Sequence, residues 1–201
     1  LLLNHARRLG IPNATHNNTR GCITRVMEEE LIRTLHGLKP GDRRGFRRVM
    51  ASKSAYVANR VLNLETGSLA AEAAIKLALA RFFRIQEDSP RPKYAGRIPV
   101  LVVLGNDDGG LQANYHGTTI VGQAMRGMWP AFRSALEKNG ILRVACVRPN
   151  SIEDVKAIFR RYDRGRYKIA AFFHELVMMN YGAVRISKAF IRQVYAMCAR
   201  R

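Results

Sequence analysis

The chain is poor in cysteine, in acid and in long apolar runs, and each shortage excludes something. Its three cysteines, Cys22, Cys146 and Cys198, stand far apart, are odd in number and form no C-x-x-C pair. A disulfide framework and a zinc site are therefore not expected, and a reducing, cytoplasmic setting is. No apolar run reaches the roughly 18–20 residues of a membrane span, and Leu1-Leu2-Leu3 is too short for a signal peptide. Only 15 Asp and Glu stand against 34 Lys and Arg, 26 of them Arg, for a net charge of +19. No internal repeat, low-complexity tract, P-loop G-x-x-x-x-G-K-[ST], dinucleotide G-x-G-x-x-G or Ser-His-Asp constellation can be found.

What is present is ample for a core: 201 residues, 47% hydrophobic, enough for one domain or one and a part. Residues 1–21 read as loop with a short helix in front. A helix is expected over 23–38, ended by Gly37 and Pro40-Gly41. Alternation over 57–64 predicts a strand, and the i, i+3, i+4 spacing of Ala71, Ala74, Ile75, Ala78, Leu79 and Phe82 predicts a helix to about Phe83. The continuous run from Pro99 to Leu104 suits a strand buried on both faces, as do 142–147 and 168–173. Helices are expected over 130–138, over 152–162 behind Ser151, and from Lys188 onward behind Ser187. The order β-α-β-(α)-β-α-β-α predicts an α/β fold, a mainly parallel sheet covered by helices on both faces.

In such sheets ligands bind beyond the carboxyl ends of the strands. That selects Thr66-Gly67-Ser68, the loop from Gly105 to Gly117, and His174-Glu175. A helix opening on Gly67-Ser68 presents free N–H groups and a positive dipole end, a ready phosphate site. In Asn114-Tyr115-His116-Gly117-Thr118-Thr119, Tyr115 could stack on a flat ring or be a half-buried core aromatic. Glu175 could orient a ligand, or cap, or pair with an Arg. His116 and His174 have no carboxylate spacing that suggests a metal, and Asp107-Asp108 reads as a turn.

These three segments carry a resemblance. Residues Thr66 to Ala78, TGSLAAEAAIKLA, resemble the "(S/T)GSEANEAAIKLAR" segment of class III, pyridoxal-phosphate-dependent aminotransferases, of fold type I. Tyr115-His116-Gly117-Thr118-Thr119 resembles their "YHG(R/T)T", and Lys168 to Glu175 their "KIAAVIVEP" strand. The helix from Lys188 to Arg201 is similar to their "FLKALRELC" helix. The resemblance spans roughly residues 55–201 and divides the chain into a helical or irregular segment, 1–54, and part of a cofactor-binding large domain, 55–201. It implies that Gly67 and Ser68 bind the phosphate of pyridoxal 5'-phosphate, that Tyr115 stacks on its ring with His116 beside it, and that Glu175 lies on the substrate side. It further implies amino-group transfer between an amine or amino acid and a 2-oxo acid, in a homodimer, with no membrane or nucleic-acid partner.

Departures accompany it. Leu69 stands where the family has Glu, Ala71 where it has Asn, and Leu176-Val177-Met178 follow Glu175 in place of Pro-x-Gln-Gly. The family's ring-pairing Asp and Schiff-base Lys fall beyond Arg201 in its layout, and none of the eight lysines takes an equivalent place. The chain is thus expected to be an incomplete large domain, inactive alone. Two other readings stand beside this one: a basic α/β nucleic-acid-binding protein, suggested by the charge, and a non-catalytic aminotransferase-like domain.

Overall fold

The chain divides between Thr66 and Gly67 into two units. The computed structural model describes Asn4, Arg8 and residues 22–54, 56–64 and 66–201; the loop and short helix expected over 1–21 otherwise lie outside the described residues.

In the first unit, α1 (Cys22–Leu35) is followed by Gly37 at φ +62°, a left-handed position that suits glycine and stops the helix. Helix α2 (Arg43–Met50) starts at Asp42, whose Oδ1 accepts the Gly45 N–H at 2.8 Å. Arg33 joins the two helices: its guanidinium donates to the Asp42 carbonyl at 3.1 Å and lies 4.3 Å from the Phe46 ring centroid. The strand expected over 57–64 does not form. The segment keeps a period of two, with odd positions half-buried and even ones exposed, but it joins no ladder. The inward positions include Asn59 and Asn63, while Leu62 is left 62% exposed. Asn59 anchors the segment instead, its Nδ2 reaching the Val49, Met50 and Ser52 carbonyls at 3.3, 3.3 and 2.8 Å.

The second unit runs α3 (Gly67–Leu79), β1 (Ile98–Leu104), α4 (Ile120–Met125), α5 (Pro130–Lys138), β2 (Arg143–Val147), α6 (Ile152–Tyr162), β3 (Tyr167–Phe173), β4 (Val177–Met178), β5 (Val184–Arg185) and α7 (Lys188–Ala199). It is α/β, as expected, with a small three-stranded parallel sheet of order β2-β1-β3 and a separate β4-β5 pair. α3 stops short of Phe83. After Leu79 the backbone tightens into turns, and Phe82 tucks in against Tyr94, ring centroids 5.4 Å apart.

The middle strand explains the layering. Val100 to Leu104 are at most 1% exposed. Val100, Val102 and Leu104 face one core with α6 and α7; Leu101 and Val103 face another with Ile75 of α3 and Met125 of α4. Burial of this kind contributes about 1.5–3 kcal/mol per large aliphatic side chain. Ser151 and Ser187 cap α6 and α7 by accepting the Asp154 and Phe190 N–H groups at 3.3 and 3.2 Å. At the amino end of β3, buried Asp163 accepts from Lys168 at 2.8 Å and from Arg201 at 3.2 Å.

β3 contains a bulge. Val100 pairs with Ile169 but Leu101 with Ala171, so Ala170 is the extra residue. The inserted residue reverses the alternation. Ile169 and Phe172 face the α6–α7 core, whereas Ala170, Ala171 and Phe173 face the α3 side.

Leu101→Ala removes a fully buried side chain from the middle strand. It is expected to lower unfolding free energy by about 2–5 kcal/mol, measured by urea denaturation.

Candidate functional site

The loop that leaves β1 is held by its own polar residues. A side chain at Gly105 would place its Cβ 2.6 Å from the Gly110 carbonyl, so the turn closes only on glycine. Asn106 accepts the Ala113 N–H at 2.6 Å and donates to Gln112 Oε1 at 3.0 Å. Asp108 Oδ1 accepts the Gly110 N–H at 2.9 Å, the turn role expected of that pair. Asn114, 1% exposed, donates to the Leu111 and Met125 carbonyls at 2.7 and 3.1 Å and so ties the loop to α4. Among the described residues, no group of three His, Cys, Asp or Glu could hold a metal ion.

The same loop then meets the start of α3. Ser68 lies within the first helical turn rather than at its cap. Its Oγ accepts the Thr118 N–H at 3.0 Å and lies 3.2 Å from Thr118 Oγ1. Gly117 sits at φ +90°, and a Cβ there would fall 2.6 Å from Ser68 Cα. Backbone packs on backbone here because Gly117 has no side chain. Thr119 caps α4 by accepting the Gly122 N–H at 3.3 Å. Residues fifty positions apart thus converge on one sheet edge.

His116 directly precedes Gly117 in that loop, and His174 and Glu175 follow the end of β3. The His116 ring packs against Phe173, centroids 5.5 Å apart, and its Nε2 is buried without a hydrogen-bond partner. Burial, and next the nearby His174, lower its pKa from the ordinary 6.5 to about 4, so it is neutral at pH 7. His174 stacks on Phe172 at 5.4 Å and lies 3.2 Å from the Tyr195 hydroxyl. Glu175 accepts the Met179 N–H at 3.2 Å. Its burial pushes the carboxyl pKa upward, against the opposing pull of that hydrogen bond and of Arg126.

Tyr115 is 40% exposed, not a core aromatic, and the Arg126 guanidinium lies 5.6 Å from its ring centroid. Arg126 Nε is fixed by the Gln112 carbonyl at 3.1 Å. The sequence reading missed Arg126, and nothing in its local pattern marks it out from the other arginines. It also missed Tyr181, whose hydroxyl donates to Asp107 Oδ2 at 3.0 Å and accepts the Asp107 N–H at 3.1 Å. That pair fastens the β1 loop to the β4-β5 turn.

Two observations bear on whether a phosphorylated pyridine fits. Nothing lies within 4 Å of where a Gly67 Cβ would be, so the helix start is open to an anion. The His116 Nε2 and the exposed Tyr115 ring supply an unused polar atom and a face for stacking. The residues fit such a group. Lysine is remote from this edge on β3, since Lys168 lies at the strand's other end with Asp163.

Comparison with family models, curated proteins and solved structures gives no match. Among the described residues, no helix is long and apolar enough to cross a membrane.

Two outcomes test this geometry. Gly117→Ala forces a side chain into a left-handed position against Ser68, and a loss of about 1–3 kcal/mol is expected by thermal unfolding. Gly67→Ala, with open space and no positive φ, is expected to change stability by less than about 1 kcal/mol. The second outcome concerns pH. Folded His116 takes its proton only near pH 4, whereas the unfolded chain takes it near 6.5. Stability is therefore full above about pH 6.5 and falls by about 3 kcal/mol as pH drops toward 4. His116→Gln is expected to flatten that limb in urea titrations at stepped pH.

Proposed function

We propose that this edge holds the phosphate and ring of pyridoxal 5'-phosphate, and that the chain serves class III-like amino-group transfer between an amine or amino acid and a 2-oxo acid. The observation that carries the reading is the contact of Ser68 with Gly117 and Thr118. It joins two of the segments that carry the resemblance, the third being the segment that ends at Glu175. Gly67 and Ser68 offer helix-start N–H groups, and Ser68 and Thr118 offer hydroxyls, to the phosphate. Tyr115 stacks on one face of the ring. Neutral His116 adds no positive charge there and can give or take one hydrogen bond. Glu175, with its raised pKa, can hold or release a proton on the substrate side. The cofactor itself, when bound, supplies the electron sink for carbanion chemistry. A homodimer fits this reading as the resemblance implies it.

The test uses pyridoxamine 5'-phosphate, which lacks an aldehyde and cannot label surface lysines. Saturable binding is expected by isothermal titration, with pyridoxamine at least about tenfold weaker for want of the phosphate. Gly67→Asp is the informative variant. A carboxylate in the first turn favours the helix, so folding is kept, yet it repels the phosphate. Binding is expected to weaken at least about tenfold, or about 1.4 kcal/mol. Equal affinity for the two ligands, or no effect of Gly67→Asp, would overturn the reading.

A second reading rests on the +19 charge. A basic nucleic-acid-binding chain would bind RNA or DNA with an affinity that falls steeply with salt. Such binding, with none of pyridoxamine 5'-phosphate, would favour it.

A further inference from the structure

The positive charge is balanced in some places and not in others. Between Asp42 and Glu65 the chain holds no acid and six cations, Arg43, Arg44, Arg47, Arg48, Lys53 and Arg60. Four of them lie on α2, whose other side faces inward: Gly45 and Val49 are buried, and Phe46 lies under Arg33. The four arginines are exposed. Among the described residues, the first unit's one ion pair joins Arg33 to Glu30, so none of the four has a carboxylate partner. Arg43 and Arg47 are neighbours on the helix surface, as are Arg44 and Arg48, and like charges at that spacing oppose the helix. Arg43 and Arg44 also stand in the first turn, against the positive end of the dipole. The other dense basic cluster is different. Arg160 and Arg161 close α6, where cations help, and Glu153 and Asp154 open it. Arg161 and Arg166 each lie 5.0 Å from a tyrosine ring. That cluster serves its own helix; the α2 face weakens its own.

An aromatic side chain stands just beyond this face. After Met50 the chain loops back, and Asn59 clasps the Val49, Met50 and Ser52 carbonyls. Within that loop the Ser54 N–H donates to Ser52 Oγ and the Tyr56 N–H to Ser54 Oγ, each at 3.2 Å. Tyr56, 80% exposed, is thus held out on a fixed turn, with exposed Lys53 and Arg60 flanking it in the chain. Charge and shape select the occupant. Arginine forks match phosphate oxygens in pairs, and an exposed aromatic face stacks on an unpaired base. A lipid surface would need an apolar stripe to insert beside the cations, and Met50 is the one exposed large apolar side chain on α2. An acidic protein segment would answer the charge but offer Tyr56 no base.

We propose that α2 and the loop behind it bind single-stranded nucleic acid, with Arg43, Arg44, Arg47 and Arg48 on the phosphates and Tyr56 on a base. Every base has a face to stack, so the surface selects unpaired over paired nucleotides rather than a sequence. This site rests on the second reading, nucleic-acid binding, and adds to it a place and a preference for single strands. It is independent of the cofactor edge, whose residues belong to the other unit.

The probe is a fluorescein-labelled oligouridylate of about twelve nucleotides, a length typical of single-strand sites, titrated into the 201-residue chain by fluorescence anisotropy at stepped salt. Saturable binding that falls with salt is expected. Annealing a complementary oligoadenylate to the probe is expected to weaken binding at least about fivefold, because paired bases cannot stack on Tyr56. Arg44→Glu with Arg48→Glu, both at exposed positions, is expected to weaken it at least about tenfold. Arg160→Glu with Arg164→Glu removes the same charge from the second cluster and is expected to cost less than about threefold. Tyr56→Ala is expected to cost about fivefold and Tyr56→Phe nothing, since stacking needs the ring and not the hydroxyl. Absence of saturable binding would overturn the second reading and the site together. Binding that both double variants weaken alike, that ignores the loss of the Tyr56 ring, or that poly-glutamate of equal charge displaces as well as unlabelled oligouridylate does, would overturn the site alone.

Discussion

A strand buried on both faces has no face left for polar side chains. β1 is such a strand, and it is the middle of three, so its neighbours inherit the constraint. The helices must supply apolar surface to both sides, and α3 with α4 does so on one face as α6 with α7 does on the other. Polar chemistry is displaced to where the strands end. Gly105, Gly117 and the Asn106 and Asn114 networks then work on a short loop that has to turn sharply and come back to the start of α3. The candidate site follows from that return: the loop touches α3 only because Gly117 lacks a side chain.

The bulge at Ala170 has a matching role on the next strand. Without the extra residue, Phe173 would face α7; with it, Phe173 faces His116, and Phe172 takes the α7 side beside His174. The two imidazoles are therefore separated onto different faces by a one-residue insertion. Their mutual charge still keeps His116 neutral, after burial has done most of that. A neutral ring with one unused nitrogen, next to a helix start that favours anions, is a combination of weak features whose value lies in their adjacency.

Much of this was legible in the chain. The run from Pro99 to Leu104 announces a doubly buried strand, and Ser151 and Ser187 announce their helices, because cap and apolar pattern are local signals. The helix start at Gly67-Ser68 and the tight turn at Gly117 were also readable from their turn chemistry, although the strand expected before Gly67 does not form. Other features could not be read. The bulge depends on register against β1, not on Ala170 itself. Residues 57–64 have the alternation of a strand, but pairing needs a partner that the segment does not meet, and Asn59 takes over as the anchor. Arg126 and Tyr181 act across long sequence separations, and a single arginine among 26 carries no mark of its place.

The central claim is that Gly67, Ser68, Tyr115 and Thr118 together form the seat of a phosphorylated ring. Amide NMR shifts recorded during a titration with pyridoxamine 5'-phosphate test it most directly. The account predicts saturating shifts concentrated at Gly67, Ser68 and Thr118, with ring-current changes at Tyr115 and His116. Shifts spread over the arginine-rich surface, or concentrated away from the carboxyl ends of β1 and β3, would contradict it.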